Sequence, residues 1–148
     1  MAAEQNQAAG RILGLDVGAR RIGIAVSDPL GLTAQGLPTL HRRNRRYDHS
    51  ELRKMVREYE VSEIVVGNPL RMSGQTGLQA EKMAAFAEQI EQELSLPVHL
   101  WDERLTTAEA HRLLDETGIG DARRKEVIDK MAAVLILQSF LDARAATK

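Results

Sequence analysis

Three acidic positions ask for an explanation beyond solubility. Asp16 interrupts the apolar run Arg11-Ile-Leu-Gly-Leu-Asp-Val17, where an unpaired carboxylate is costly to bury. Asp102 and Glu103 close a second apolar run that begins at Pro97, and Arg104 follows them directly. Asp129 stands just before the apolar stretch between Met131 and Leu137. No local motif joins these positions, so only the fold can bring them together. Gathered at one point, three carboxylates would repel one another and take up protons unless a divalent cation neutralised them. Oxygen-only ligands favour Mg2+ or Mn2+. Such a cluster suits phosphodiester hydrolysis, in which two metal ions hold the attacking and leaving oxygens. Each acid also has a plainer explanation. Asp16 could close the turn at Gly18, Asp102 or Glu103 could pair with Arg104, and Asp129 could be an acid favoured by the dipole of a first helical turn. The metal reading stands only if all three coincide.

Positive charge is clustered as well. Arg42, Arg43, Arg45 and Arg46 crowd one short stretch, Arg20 and Arg21 share the first turn, and Arg123, Arg124 and Lys125 precede the last helix. A charge run is most often a solvated face, but beside an acidic ion site these clusters would contact phosphates. The average composition argues the other way. Over 148 residues, 20 Lys and Arg against 21 Asp and Glu leave a net charge of −1, whereas a purely electrostatic polyanion binder is basic overall. Any nucleic-acid role must therefore rest on segregated patches. The lack of cysteine excludes disulfides, thiolate catalysis and cysteine-ligated zinc. An aromatic content of 3% is too low for a base-stacking platform. His41, His49, His99 and His111 show no ligand spacing. Gly14, Gly18 and Gly23 form neither a dinucleotide fingerprint nor a P-loop, although a strand–glycine turn–strand at Asp16-Val-Gly18 could offer backbone N–H groups to a phosphate.

The elements that must position these groups are legible in outline. The runs 11–17 and 21–26, joined by a Gly-Ala-Arg turn, read as a β-hairpin, and Thr33 to Leu40 reads as a third strand. Leu52, Met55, Val56 and Tyr59 have the spacing of an amphipathic helix over 47–59. Ser62 to Gly67 is a buried strand, Met83, Ala87, Ile90 and Leu94 mark a second helix, and Pro97 to Asp102 is a fifth strand. Thr106-Thr-Ala-Glu109 has capping-box spacing and opens a third helix, ended by Gly118 and Gly120. The last helix, about 124–143, is apolar on nearly every side and should be buried. Three meandering strands followed by αβαβ crossovers imply an α/β fold with a mixed sheet and helices on both faces. One domain over 11–142 is expected, with a flexible tail at 1–10 and a short tail at 143–148. No apolar run approaches the roughly 18 residues needed to cross a bilayer, and the polar N-terminus lacks the apolar stretch of a signal peptide, so no membrane role and a cytoplasmic location are expected.

Four stretches, taken in order, resemble the motifs of the RuvX/YqgF family. They are Gly14-Leu-Asp-Val-Gly18 with Arg21-Ile-Gly-Ile-Ala-Val-Ser-Asp28, Ile64-Val-Val-Gly-Asn-Pro69 with Met72 and Gly74, Asp102-Glu-Arg-Leu-Thr-Thr107, and Ile128-Asp-Lys-Met-Ala-Ala133 with Ile136-Leu137. Each is weak alone, but together they are highly specific and cover nearly the whole chain. The resemblance implies a minimal ribonuclease H-like domain, with a five-stranded sheet of three antiparallel strands and then parallel ones. It implies that Asp16, Glu103 and Asp129 are the catalytic metal ligands, with Asp102 as a stand-in, and that Arg21 contacts substrate phosphate. The family is described both as Holliday junction resolvases and as the nuclease that matures the 5′ end of pre-16S ribosomal RNA. This sequence departs from the pattern at Asn68, Arg71 and Ser73, where the family usually has Leu, Asn and Asp. Those changes spare the ligands and bear on how the loop positions substrate, with Arg71 a further phosphate contact.

The expectation is a Mg2+- or Mn2+-dependent endonuclease whose arginines, Arg21, Arg42, Arg43, Arg45, Arg46, Arg104, Arg123 and Arg124, grip the nucleic-acid backbone. Pre-rRNA is favoured over branched DNA, because cutting a four-way junction symmetrically requires a two-fold homodimer and nothing in the sequence demands one. Two rivals come from other classes. An actin-like ATP-binding domain shares the fold and an Asp-x-Gly turn, but such proteins clamp nucleotide between two domains. An inert RNA-binding module would have no reason to keep Asp16, Glu103 and Asp129.

Overall fold

Alternation of apolar residues with tight turns carries the first strands into a meander. The computed structural model describes residues 10–68, 77–102 and 121–147. Strands β1 (Arg11–Val17), β2 (Arg21–Ser27) and β3 (Ala34–His41) are antiparallel neighbours, and β4 (Val61–Asn68) and β5 (Val98–Asp102) add in parallel on the other side of β1. The sheet order is β3-β2-β1-β4-β5. Helices α1 (Arg45–Glu58), α2 (Gly77–Leu94) and α3 (Asp121–Ala146) complete the described elements. The five expected strands and the expected helices over 47–59, 83–94 and 124–143 are thus present, within a few residues at their ends. The expected helix from Thr106 to about Gly118 and the N-terminal tail up to residue 9 lie outside the described residues.

Strand parity sorts the core into two faces. Leu13, Leu15, Ile24 and Val66 point to α1 and α2, where Leu52, Met83, Phe86 and Ile90 meet them. Ile12, Ala25 and Val65 point to α3 and pack against Ala133, Ile136, Leu137 and Phe140. Each large side chain buried in this way contributes about 1.5–3 kcal/mol relative to exposure. Asn44 caps α1 by accepting from the Tyr47 amide at 2.8 Å. The helix ends where Glu60 turns into the left-handed region at φ 53°. Between β2 and β3, the Asp28 carboxylate accepts from the amides of Leu30, Leu32 and Thr33. These bonds, that of Thr33 foremost, hold its carboxyl below the usual carboxylate range.

Helix α3 lies on a floor of small residues. Gly14, Ala25 and Gly36 are paired across β1, β2 and β3, and Gly23 lies two residues from Ala25 on β2. A Cβ at Gly23 would stand 2.0 Å from the backbone oxygen of Asp129. Glycine is needed there because the helix main chain itself rests on the strand. At its far end α3 is clamped by Arg144, whose two terminal nitrogens donate to Glu63 at 2.9 and 2.8 Å, while His99 Nε2 lies 2.9 Å from the same carboxylate. Arg144 also sits over the Phe140 ring. This clamp carries the helix to Ala146, so the segment from 143, expected to be a tail, is helical up to that residue.

Two outcomes test this packing. Gly23→Ala is expected to cost about 1–3 kcal/mol in denaturant unfolding, because the α3 backbone must lift to admit one methyl group. Glu63 is held below its ordinary pKa, first by the Arg144 hydrogen bond and then by His99. Its contribution is therefore whole above the ordinary glutamate value and is lost as pH falls through the lowered folded one. Glu63→Gln should cost about 1 kcal/mol near neutral pH, a surface-pair magnitude, and the gap from the parent protein should close in acid.

Candidate active site

Asp16 is next to last in β1 and pairs directly with Gly23 of β2. Residues opposite each other in an antiparallel pair project to the same face, so Asp16 faces the same way as the vacant Cβ position of Gly23. That position is where the Asp129 turn of α3 rests. Two carboxylate-bearing residues from opposite ends of the sequence are thereby brought over one point of the sheet, and both are half-buried. Asp102 ends β5 in register with Asn68 of β4, at the sheet edge where β1 also ends. Glu103 and Arg104 lie outside the described residues. Among the described residues, no group of three or more potential ligands is assembled to hold a metal ion. The two aspartates nevertheless fit a hard divalent ion chemically, since they offer oxygen donors only.

Arg21 has a partner that its position in the sequence did not suggest. Its Nε donates to Asp129 Oδ2 at 2.5 Å, with the two side chains 30% and 18% exposed. The guanidinium thus supplies the positive charge that the Asp129 carboxylate needs in a partly dry setting. Arg42 is likewise committed within the protein. Its Nε meets Asp48 at 3.0 Å, its Nη1 donates to the Gly18 carbonyl at 2.8 Å, and its amide donates to the Arg20 carbonyl. Asp48, 2% exposed, also accepts from the Arg43 amide. The Arg43 guanidinium stacks on Tyr47, 4.4 Å from the ring centre. These contacts anchor the start of α1 to the β1–β2 turn.

The remaining arginines are distributed around this edge. Arg45 and Arg46 are exposed in the first turn of α1. Arg123 is exposed near the start of α3 and lines a cleft with Pro38, Thr39, Val127 and Lys130. Arg124 belongs to α3 by its backbone. Arg71 and Ser73 fall outside the described residues. Asn68 Oδ1 is buried with no hydrogen-bond partner among the described residues, a state that costs about 1–3 kcal/mol. Sequence reasoning overlooked the roles of Gly23, Asp48 and Asn68. Gly23 had a signal, since a glycine within a β-branched strand marks a close backbone approach. The Arg21–Asp129 pair spans 108 positions and left no trace in local spacing.

Known proteins share both the sequence and the fold. The family model described as "RuvX: Holliday junction resolvase" matches residues 10–143. A relative in Koribacter versatilis, named pre-16S rRNA nuclease, is 55% identical over 91% of this chain and 88% of its own length. One of the same name in Clostridium novyi is 52% identical over 90% of this chain and 98% of its own. Among solved structures, Thermus thermophilus RuvC in complex with a Holliday junction substrate superposes with a TM-score of 0.57 at 15% identity, covering 93% of this chain and 97% of that one. The fowlpox virus resolvase bound to Holliday junction DNA gives 0.55 at 10% identity, over 90% of this chain and 98% of that one. These two likenesses establish the ribonuclease H-like fold. With a match across nearly the whole chain and relatives at half identity or better, this chain belongs to the RuvX family of nucleases.

Proposed function

We propose that this chain is a divalent-metal-dependent endonuclease that processes the 5′ end of pre-16S rRNA, acting in the cytoplasm during ribosome assembly. The observation that carries the reading is the meeting of Asp16 and Asp129 over Gly23, in a family member whose relatives are named for this reaction. Asp16, Asp129 and Glu103 would hold Mg2+ or Mn2+, and the ion would supply neutralisation of the scissile phosphate and acidification of a water.

The chain's own residues do the rest. Arg21 neutralises Asp129 while no cation is bound. Where a cation took over that carboxylate, the Arg21 guanidinium would be available to an incoming phosphate, which it could grip with two parallel hydrogen bonds. Arg43, Arg45, Arg46 and Arg123 lie exposed around the edge and, with Arg104 and Arg124, attract the backbone electrostatically. Arg42 contributes by fixing the turn that carries Arg21.

Holliday junction resolution is the second reading, favoured by the description of the family model. It requires a two-fold homodimer, whereas trimming one RNA end does not. Cleavage of a precursor rRNA 5′ end and of a synthetic four-way junction, measured side by side, separates the two. The expected result is site-specific cutting of the RNA, reduced about 10²-fold or more by Asp16→Asn. Equal activity of parent and variant would overturn the metal site, and preference for the junction would reverse the substrate assignment. Arg21→Met should tighten Mn2+ binding measured by calorimetry without nucleic acid, by about fivefold for a pair worth about 1 kcal/mol. Unchanged affinity would show that Arg21 does not compete with the ion.

A further inference from the structure

A second basic site lies on the opposite face of the sheet. Arg45, His49 and Arg53 recur at the four-residue interval that aligns side chains along one helix face, with Arg46 and Ser50 in the adjacent row. With Glu93 of α2 they line a cleft of about 510 Å³. Arg45 and Arg46 stand in the first turn of α1, where the helix dipole disfavours cations. Neither has an ion-pair or hydrogen-bond partner among the described residues. Asp48, the acid that would offset them, is taken up by Arg42 and the Arg43 amide.

Burial adds an independent sign. His49 is only 4% exposed and lines the cleft, where its ring faces the Glu93 carboxylate. Its Nδ1 lies 3.5 Å from Glu93 Oε1, and Arg53 Nη2 lies 3.7 Å from the same oxygen. Arg53 Nη2 also donates to the Glu93 carbonyl at 3.3 Å. One carboxylate is thus shared by Arg53 and His49, while Arg45 and Arg46 line the same cleft, leaving it with more guanidinium groups than carboxylates. A local arrangement that opposes the helix dipole without compensation inside the fold marks a place where a ligand completes it.

We propose that this cleft is a phosphate subsite for the nucleic-acid substrate, gripping the backbone away from the scissile bond. The proposal rests on the endonuclease reading and extends it to residues of the α1–α2 face. The path between the two sites is short in topology. Arg42, just before α1, bonds the carbonyls of Gly18 and Arg20, so the first turn of α1, with Arg45 and Arg46, is tied to the turn that follows Asp16. Ser50 adds a neutral donor, and Arg53 closes the far end against Glu93.

The test is fluorescence anisotropy of a labelled RNA stem carrying the precursor 5′ end, in EDTA so that nothing is cut. Arg45→Ala/Arg46→Ala should bind about 10-fold more weakly. Its dependence of log K on log salt should be shallower by about 0.7–0.9 for each phosphate that the variant no longer neutralises. Ser50→Glu, which places a negative charge in the cleft, should weaken binding in the same way. Arg57→Ala, which removes an exposed charge from the same helix outside the cleft, should bind like the parent protein. Circular dichroism verifies that each variant is folded. Unchanged affinity and salt slope in both cleft variants would overturn the subsite, as would an equal weakening in Arg57→Ala. Failure of the parent protein itself to bind RNA, also with Mg2+ restored, would overturn the endonuclease reading instead.

Discussion

The structure depends on how closely one helix can approach one sheet. Helix α3 spans 26 residues, and its main chain at Asp129 sits where a side chain on β2 would otherwise be. Gly23 makes that approach possible, and the register Asp16–Gly23 then sets the height of the β1 carboxylate relative to the helix. Everything else at this edge follows from that contact. The apolar face of α3 holds the helix down through Ala133, Ile136 and Leu137, and the Arg144–Glu63 clamp keeps its far end from lifting. The placing of Asp16 and Asp129 over one point of the sheet is therefore a by-product of core packing.

Charge is handled locally rather than on average. Asp129 is balanced by Arg21, Asp48 by Arg42, and Glu63 by Arg144 and His99. The Arg21–Asp129 and Arg144–Glu63 pairs join α3 to strands far away in sequence, so they act as fasteners as well as counter-charges. Among the described residues, exposed arginines lie in the β1–β2 turn (Arg20), just before α1 (Arg43), on α1 (Arg45, Arg46, Arg57) and at the start of α3 (Arg123). A net charge of −1 conceals this segregation: Asp129, Asp48 and Glu63 are paired within the fold, while Arg43, Arg45, Arg46 and Arg123 are exposed.

The strands and the meander were legible because β-branched runs and a glycine turn fall on period two, and two faces followed from parity. Helices α1 and α2 were legible from the spacing of Leu52, Met55 and Val56 and of Met83, Ala87 and Ile90. What escaped was set by distant residues. The helical course of 143–146 depends on Arg144 meeting Glu63 from β4, and the engagement of Arg42 depends on a buried Asp48. The acids at positions 16 and 129 were picked out for being out of place, but their meeting required a register and a bare strand that no spacing reveals. His49 and His99, which show no ligand spacing in the sequence, each face a glutamate supplied by another element.

The glycines under α3 differ in what stands above them. Above Gly36 are Cγ and Cδ of Lys130, the flexible part of a surface chain; above Gly14 is Leu137 Cβ, which every residue but glycine carries; above Gly23 is a carbonyl oxygen that belongs to the main chain. Defects at these positions should therefore have different genetics. A lesion at Gly36 can be relieved by shortening Lys130, one at Gly14 only by stripping the helix of a side chain, and one at Gly23 by no exchange of residues on α3 at all. The position beneath the acids is thus the one for which the helix can supply no intragenic suppressor.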